Sequence, residues 1–389
     1  MRNKRLDILR CVAVVTVIIH HSGISAFFTR VGWTGVDLFF VLSGFLISGL
    51  LFDEYKRRQT IRLKRFFIRR GLKIYPAFYT FLLLTGIVEE IVFRNHASFA
   101  RYFHDAIFVM NYEQGVWDHT WTLAVEEHFY VFLPVFLMIL MRFSSNRENP
   151  FRLIPWAAAL IASLCVAFRA VSVFVGIPNF HMAYTASHER MDALFCGVLI
   201  GYLYHFRPAV LEGTMRPWRN RVVIAAASAI LLSFAILYGR DSKFFATWGY
   251  SFIYLGFAGV LLLSLYTNGI LSGGAARTVG LAGNAAAYVG MYSYSIYLWH
   301  GPVGAWLPGL FRRTVGFPTG SFGRFAVYFA GSLVIGIVMS KLVEYPVLRL
   351  RDRVFPNSQI VPVAAHVEIG PSGLPIADAS IPAMVEGQP

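Results

Sequence analysis

Apolar stretches of about 16–24 residues recur along the chain, each closed by a short polar segment. Runs of that length suit helices crossing a hydrocarbon core of about 30 Å and are too long for barrel strands. The pattern predicts ten spans, at about 8–28, 36–52, 71–93, 123–141, 154–176, 191–206, 221–238, 248–267, 286–306 and 324–343. The apolar segment around Ile107–Met110 is too short to cross, which suits an interfacial or re-entrant piece. After about residue 354 the helical period gives way to Pro, Ala, Val and Gly, the composition of a disordered tail. The expected fold class is an all-α integral membrane protein, a bundle of about ten transmembrane helices with both termini cytoplasmic. One transmembrane domain occupies residues 1–353, and a cytoplasmic tail occupies 354–389.

Composition agrees with the pattern. Of 389 residues, 56% are hydrophobic and only 14% are charged, against about 25% charged in an ordinary soluble domain. The first apolar segment has charges in its own body and no small-residue cleavage site, so it reads as a retained span. The net charge of +14 suggests nucleic acid at first sight. About 23 of the Lys and Arg residues fall on one side of the predicted membrane and about 9 on the other, which is the signature of topology. Cys11, Cys165 and Cys196 all lie in apolar spans without metal spacing, and no metal site or disulfide framework is implied.

The polar residues that remain inside the spans carry the chemistry, because an ionisable group in hydrocarbon is costly. Asp7, Arg10 and His21 lie three and eleven residues apart, within about 60° of one another on a helix. His21 is about 20 Å along the first span and near the outer face, whereas Arg10 is about 16 Å behind it. The outer ends of other spans hold Asp37, Glu126, Glu127, Arg190, Asp192 and His300. The inner side holds Asp7, Arg10, Glu344 and a basic loop ending in Arg69, Arg70 and Lys73. Clustered cations of that kind suit phosphate groups of a cytosolic cofactor, and equally suit topology or anionic lipid. His21 is a candidate general base, the alternative being a histidine bonded to a backbone carbonyl of a neighbouring helix. Glu126 and Tyr130 are i,i+4 neighbours, and at least one of the adjacent glutamates needs a cation or histidine partner.

Seven runs, in order, carry a family resemblance: L-D-I-L-R-x-x-A from Leu6, G-V-D-L-F-F-V-L-S-G-F-L-I from Gly35, R-R-x-x-K-I-Y-P from Arg69, W-T-L-A-V-E-E-H-F-Y from Trp121, R-M-D-A-L-x-x-G from Arg190, S-Y-S-I-Y-L-W-H from Ser293 and E-Y-P from Glu344. Together they resemble the acyltransferase-3 family of integral membrane O-acyltransferases, over roughly residues 5–350. The resemblance implies transfer of an acyl group, usually acetyl from acetyl-CoA, to a hydroxyl of a cell-envelope or secreted glycan such as lipopolysaccharide or exopolysaccharide. It maps the family's essential histidine onto His21 and its first-span arginine onto Arg10. The family's arginine pair falls on Arg70 and Lys73, where lysine keeps the charge and loses the bidentate fork. Its usual Gln and Ser of the fourth-span motif are His128 and Thr122 here.

The expected site follows. His21, Glu126, Glu127 and Asp37 form the catalytic set, with a glutamate orienting the imidazole. Arg10, Arg69, Arg70 and Lys73 grip acetyl-CoA on the cytosolic side. Arg190, Asp192, Tyr130 and His300 hold the glycan or lipid-linked saccharide acceptor, within a bacterial cytoplasmic membrane. Two other classes compete: a multi-pass transporter, which would show inverted repeats or paired broken helices, and a non-enzymatic envelope assembly protein.

Overall fold

The first helix sets the frame. In the computed structural model α1 spans Lys4–Ser22; the Asn3 side chain caps it by accepting from the Arg5 amide at 3.0 Å, and Gly23 ends it in the left-handed region at φ 62°. The structure describes residues 3–93, 97–175, 184–239, 242–266, 273–316 and 320–356. The tail from residue 357 onward, expected to be disordered, lies outside them. Among the described residues the regular structure is all helix, with no strand.

The remaining helices are α2 (Ala26–Val31), α3 (Gly35–Arg58), α4 (Leu63–Val88), α5 (Phe99–Ala106), α6 (Trp121–Phe143), α7 (Ile154–Val175), α8 (Ser187–Phe206), α9 (Pro208–Met215), α10 (Trp218–Leu237), α11 (Tyr250–Tyr266), α12 (Gly273–Met291), α13 (Ser293–Val315), α14 (Ser321–Met339) and α15 (Tyr345–Val354). Seven stretches among the described residues are long and apolar enough to cross a bilayer, and α8 with α9 makes an eighth if their 100° bend lies within one span. The multi-pass expectation therefore holds, with fewer qualifying spans than the ten expected. The difference has two visible sources. α1 carries Lys4, Arg5, Asp7 and Arg10, more charge than an ordinary span, yet it is packed against α3, α12 and α13. The single span expected over 286–306 is two helices, because Tyr292 leaves the helical conformation at φ −100°, ψ 8°.

Apolar side chains fill the core of the bundle and also cover much of its outer surface. Along α7, Trp156, Leu160, Leu164, Phe168, Val171 and Val175 form one exposed apolar face at helical spacing, while Arg169 is wholly buried on the other. Lipid solvates the first face, and every donor of the second needs a protein partner. Close packing comes from small residues. A Cβ on Gly44 of α3 would stand 1.9 Å from the Leu194 carbonyl oxygen of α8, and one on Gly197 would stand 2.2 Å from the Val41 oxygen. Two glycines face each other there, so the backbones of α3 and α8 touch.

Candidate active site

A cavity of about 680 Å³ runs between α1, α3, α4, α6, α13 and the turn before α15. That volume lies in the range of small-ligand sites. Its walls include Arg10, Arg70, Lys73, Glu126, Glu127, Tyr130 and Glu344. The cations come from two helices: Arg10 from the first half of α1, and Arg70 and Lys73, one turn apart, from α4.

The carboxylates among them are held in place. Glu126 Oε1 accepts from Ser43 Oγ at 2.5 Å, and its Oε2 accepts from the Tyr130 hydroxyl at 2.9 Å. Arg70 stands over the Tyr130 ring at 3.9 Å and faces both Glu126 and Glu127. Glu127 Oε2 accepts from the Tyr75 hydroxyl at 3.1 Å. Glu344 Oε2 accepts from Ser295 at 2.8 Å and Ser340 at 2.7 Å, and the widened helical turn Ser340–Glu344 aims it into the bundle. Arg10 faces Asp7, Arg70, Glu344 and Glu126, and Lys73 faces Arg10, Arg70 and Glu344. Within this assembly the Arg70 Nε and the Glu127 Oε1 are buried without hydrogen-bond partners. Buried polar atoms of that kind call for an explanation, and a ligand entering the cavity would supply it.

Tyr297 and Thr122 also line the cavity. Thr122 donates to the Tyr297 oxygen at 2.7 Å, and the Tyr297 hydroxyl donates to the His119 carbonyl at 2.8 Å. Beyond them lie three histidines. The ring of His300 is 5.0 Å from that of His21 and 4.6 Å from that of His119. His21 is exposed, and its Nδ1 lies 2.9 Å from the Val17 carbonyl of its own helix. A carbonyl only accepts, so in neutral His21 the proton sits on Nδ1 and Nε2 keeps its lone pair. The carbonyl belongs to His21's own helix and not to a neighbouring one, as the alternative had it. Asp105, near the end of α5 and before the loop leading to His119, accepts from the Val116 amide at 2.6 Å and the Thr120 hydroxyl at 3.0 Å. Burial pushes its carboxyl up to about 6 against those two bonds.

Several site residues lie elsewhere than expected. The glutamates are not outer-end groups: Glu126 bonds Ser43, six residues beyond Asp37 and so about 9 Å deeper along α3. Glu126 and Glu127 line the cavity with Arg70, and His21 is not among the lining residues. The acceptor-side residue Tyr130 likewise sits with Arg70. Arg69 points away from its neighbour, as adjacent helix residues diverge by about 100°. Its guanidinium bonds Asp352 at 3.1 Å and the Phe355 carbonyl, outside the cavity.

Asp37, Arg190 and Asp192 form a separate buried network. Arg190 pairs with Asp37 at 2.7 Å, with side-chain exposures of 1% and 0%, and lies 4.3 Å over the Tyr250 ring. Arg169 pairs with Asp192 at 2.8 Å, with exposures of 0% and 1%. It also donates to the Thr247 and Glu189 carbonyls and to Ser251. These four charges tie α3, α7, α8 and α11 together, and none lines the cavity. Sequence reasoning missed Arg169, whose signal was a lone guanidinium in a 22-residue apolar helix. It also missed Tyr297, which had no charge to mark it.

The model of the acyltransferase domain matches residues 3–341. The chain is 28% identical over 318 residues to a protein of Staphylococcus aureus (strain COL) named "Putative O-acetyltransferase", covering 76% of this chain and 49% of that one. It is 26% identical over 327 residues to the "Peptidoglycan O-acetyltransferase OatA" of Listeria monocytogenes, covering 77% and 49%. To the "O-acetyltransferase OatA" of Staphylococcus aureus (strain NCTC 8325 / PS 47) it is 25% identical over 321 residues, covering 77% and 50%. The match spans about half the length of these curated relatives. No solved structure matches the chain significantly. With the family model covering all but the C-terminal part, and with Arg10, Arg70 and Glu126 brought together from its separate motifs, the chain belongs to the acyltransferase-3 family of membrane acyltransferase domains.

Proposed function

We propose that this protein is a membrane O-acetyltransferase that moves an acetyl group from acetyl-CoA to a hydroxyl of a cell-envelope glycan. The observation that carries the reading is the division of α1: Arg10 lines the cavity, and His21 stands eleven residues later, exposed, with its Nδ1 on the Val17 carbonyl. Eleven residues of helix span about 16 Å, a separation that a phosphate-bearing carrier with a long arm bridges and a compact solute does not.

Acetyl-CoA enters at the basic end, which faces the cytosol of a bacterium by the positive-inside rule. Its phosphates meet Arg70, Lys73 and Arg10, and the thioester arm follows the cavity toward Tyr297. The acceptor approaches the exposed His21 from the other side. His21 Nε2 takes the hydroxyl proton as the oxygen attacks the thioester carbonyl. The C–O bond forms, the C–S bond breaks, and the thiolate leaves with a proton returned by the imidazolium. The glycan is of the envelope class, with the peptidoglycan in the name of the Listeria relative as the nearest precedent. Membrane vesicles holding the full chain, supplied with labelled acetyl-CoA and an envelope glycan fraction, test the reading. The expected product is an alkali-labile O-acetyl ester on the glycan; vesicles that leave the glycan unlabelled would contradict it.

A further inference from the structure

A second, smaller cavity lies at the end of α4 away from the basic loop. It holds about 250 Å³ and is lined by Glu89, Ala97, Arg101, Val116, Trp117 and Ala305, none of which lines the cavity that holds Arg70. Three elements build it: the widened turn Glu89–Phe93 after α4, the side of α5 that carries Arg101, and the second half of α13. The other side of α5 shows Phe99 and Phe103, 83% and 49% exposed. That division suits a helix resting at the membrane surface with its apolar side to lipid and its polar side to the pocket.

The wall of this pocket is rigid and chemically mixed. Trp117 Nε1 donates to Thr85 Oγ1 at 3.1 Å, and Trp306 Nε1 donates to Glu89 Oε1 at 2.8 Å. The two indoles meet edge to face with centroids 5.6 Å apart, and Phe93 stacks on Trp306 at 5.7 Å. An indole has one donor, so what Trp117 offers the pocket is ring surface. Arg101 gives its Nε–H to the Gly115 carbonyl at 2.7 Å, one of the five donors of a guanidinium, and a carboxylate such as Glu89 accepts from more than one donor. A hydrocarbon chain has no use for either charge, and an anionic headgroup is repelled by Glu89. A neutral sugar uses all three: its C–H face packs on the indole, its hydroxyls donate to the carboxylate and accept from the guanidinium.

The pocket is tied to His21 by a row of rings. The Trp117 ring is 6.3 Å from that of His119, His119 is 4.6 Å from His300, and His300 is 5.0 Å from His21. The row closes up on α13 because residue 301 is glycine, where a Cβ would come within 2.5 Å of His119 Cε1. Ala305, one turn further on, lines the pocket, about 7.5 Å beyond His300 along the helix. Two buried rings thus separate the pocket from His21, and a sugar in one place and a sugar at the other are different units of one chain. We propose that this pocket is an acceptor subsite: it binds a neutral sugar unit of the envelope glycan, a few units away from the hydroxyl that is acetylated at His21. It makes an oligomeric glycan a better acceptor than a short fragment. This rests on the acetyl-transfer reading above.

The test uses the full chain in vesicles, labelled acetyl-CoA and the envelope glycan fraction cut into short fragments of one or two sugars and longer oligomers. Ala305→Phe fills the pocket from an exposed position and removes no polar contact. It should raise the KM for long oligomers about tenfold, with kcat, the KM for acetyl-CoA and the KM for short fragments within about twofold, the signature of lost binding away from the reacting atoms. Trp117→Ala should do the same, and Trp117→Phe, which keeps a ring face and loses the bond to Thr85, should recover most of the loss. Long and short acceptors with equal KM on the unaltered chain, or filled and emptied pockets that leave the oligomer KM in place, would overturn the subsite while leaving acetyl transfer standing. So would a rise shared equally by short fragments or by acetyl-CoA. An absence of O-acetyl product with the unaltered chain would remove both.

Discussion

The Arg70 guanidinium lies 3.9 Å over the ring of Tyr130, whose hydroxyl donates to Glu126 at 2.9 Å. Two motifs more than fifty residues apart in sequence are thereby fixed as one wall of the cavity. A planar guanidinium stacked on a ring can still offer donors at its edge to an anion, a geometry that lysine cannot copy. A cation over an aromatic face contributes about 0.5–2 kcal/mol. Loss of the bidentate fork in Arg70→Lys should raise the KM for acetyl-CoA about tenfold, and loss of the charge-assisted bonds, at about 1.5–3 kcal/mol, should raise it about 100-fold in Arg70→Ala. Arg69→Ala should leave that KM within about twofold, because Arg69 is committed to Asp352. Initial rates against acetyl-CoA concentration check both, and equal effects at the two arginines would contradict the assignment.

The Arg169–Asp192 pair has no solvent to fall back on. Removing one partner leaves a buried charge uncompensated, at a cost of about 3–5 kcal/mol. Asp192→Ala should strongly reduce the folded, detergent-extractable yield. Replacing both charges with apolar residues of similar volume should recover much of it. Size-exclusion profiles of the single and double variants decide, and a monodisperse Asp192→Ala protein would show that the pair is not structural.

Gly44 and Gly197 offer a steric test. Gly44→Ala puts a methyl group 1.9 Å from the Leu194 oxygen, so α3 and α8 must part. Gly213→Ala, in α9, meets nothing within 4 Å. The first should lower the melting temperature in detergent by several degrees, about what a 1–3 kcal/mol overpacking cost gives. The second should leave it in place or raise it slightly. Equal melting temperatures for the two variants would argue against the close contact.

Asp105 gives the loop before His119 a pH dependence of definite sign. Its carboxyl is pushed up to about 6 by burial, from about 3.9 in an unfolded chain. The folded state then holds the proton more tightly. The contribution is fully present below about pH 4 and is lost as pH rises through 6. Hydrogen exchange at the Val116 and Thr120 amides should show the loop opening more readily across that window. Asp105→Asn should flatten the response. A loop that tightens from pH 4 to 6 would reverse the sign.

The sequence showed the class of the fold because lipid imposes it: backbone groups in hydrocarbon need internal partners, so long apolar runs are helices. It showed the stripe of α1 for the same reason, since Asp7, Arg10 and His21 are costly wherever they lie in a span. It did not show partners. Asp37 and Glu126 both sit near the starts of apolar runs, yet Asp37 turns into the α3–α8 contact with Arg190 while Glu126 turns into the cavity. That choice is made by which helices pack together, at glycine contacts such as Gly44 and Gly197 that a hydropathy pattern does not register. The break at Tyr292 was hidden because both of its flanks are apolar, and Tyr297 because a buried hydroxyl carries no charge.

The account turns on His21 as the base, and the direct measurement is acetyl transfer to glycan by His21→Ala in vesicles, at matched protein level and insertion. The prediction is a loss of glycan O-acetylation of at least about 100-fold, with acetyl-CoA binding at the Arg70 end kept within about twofold. A His21→Ala protein that acetylates glycan at near the wild-type rate would contradict it.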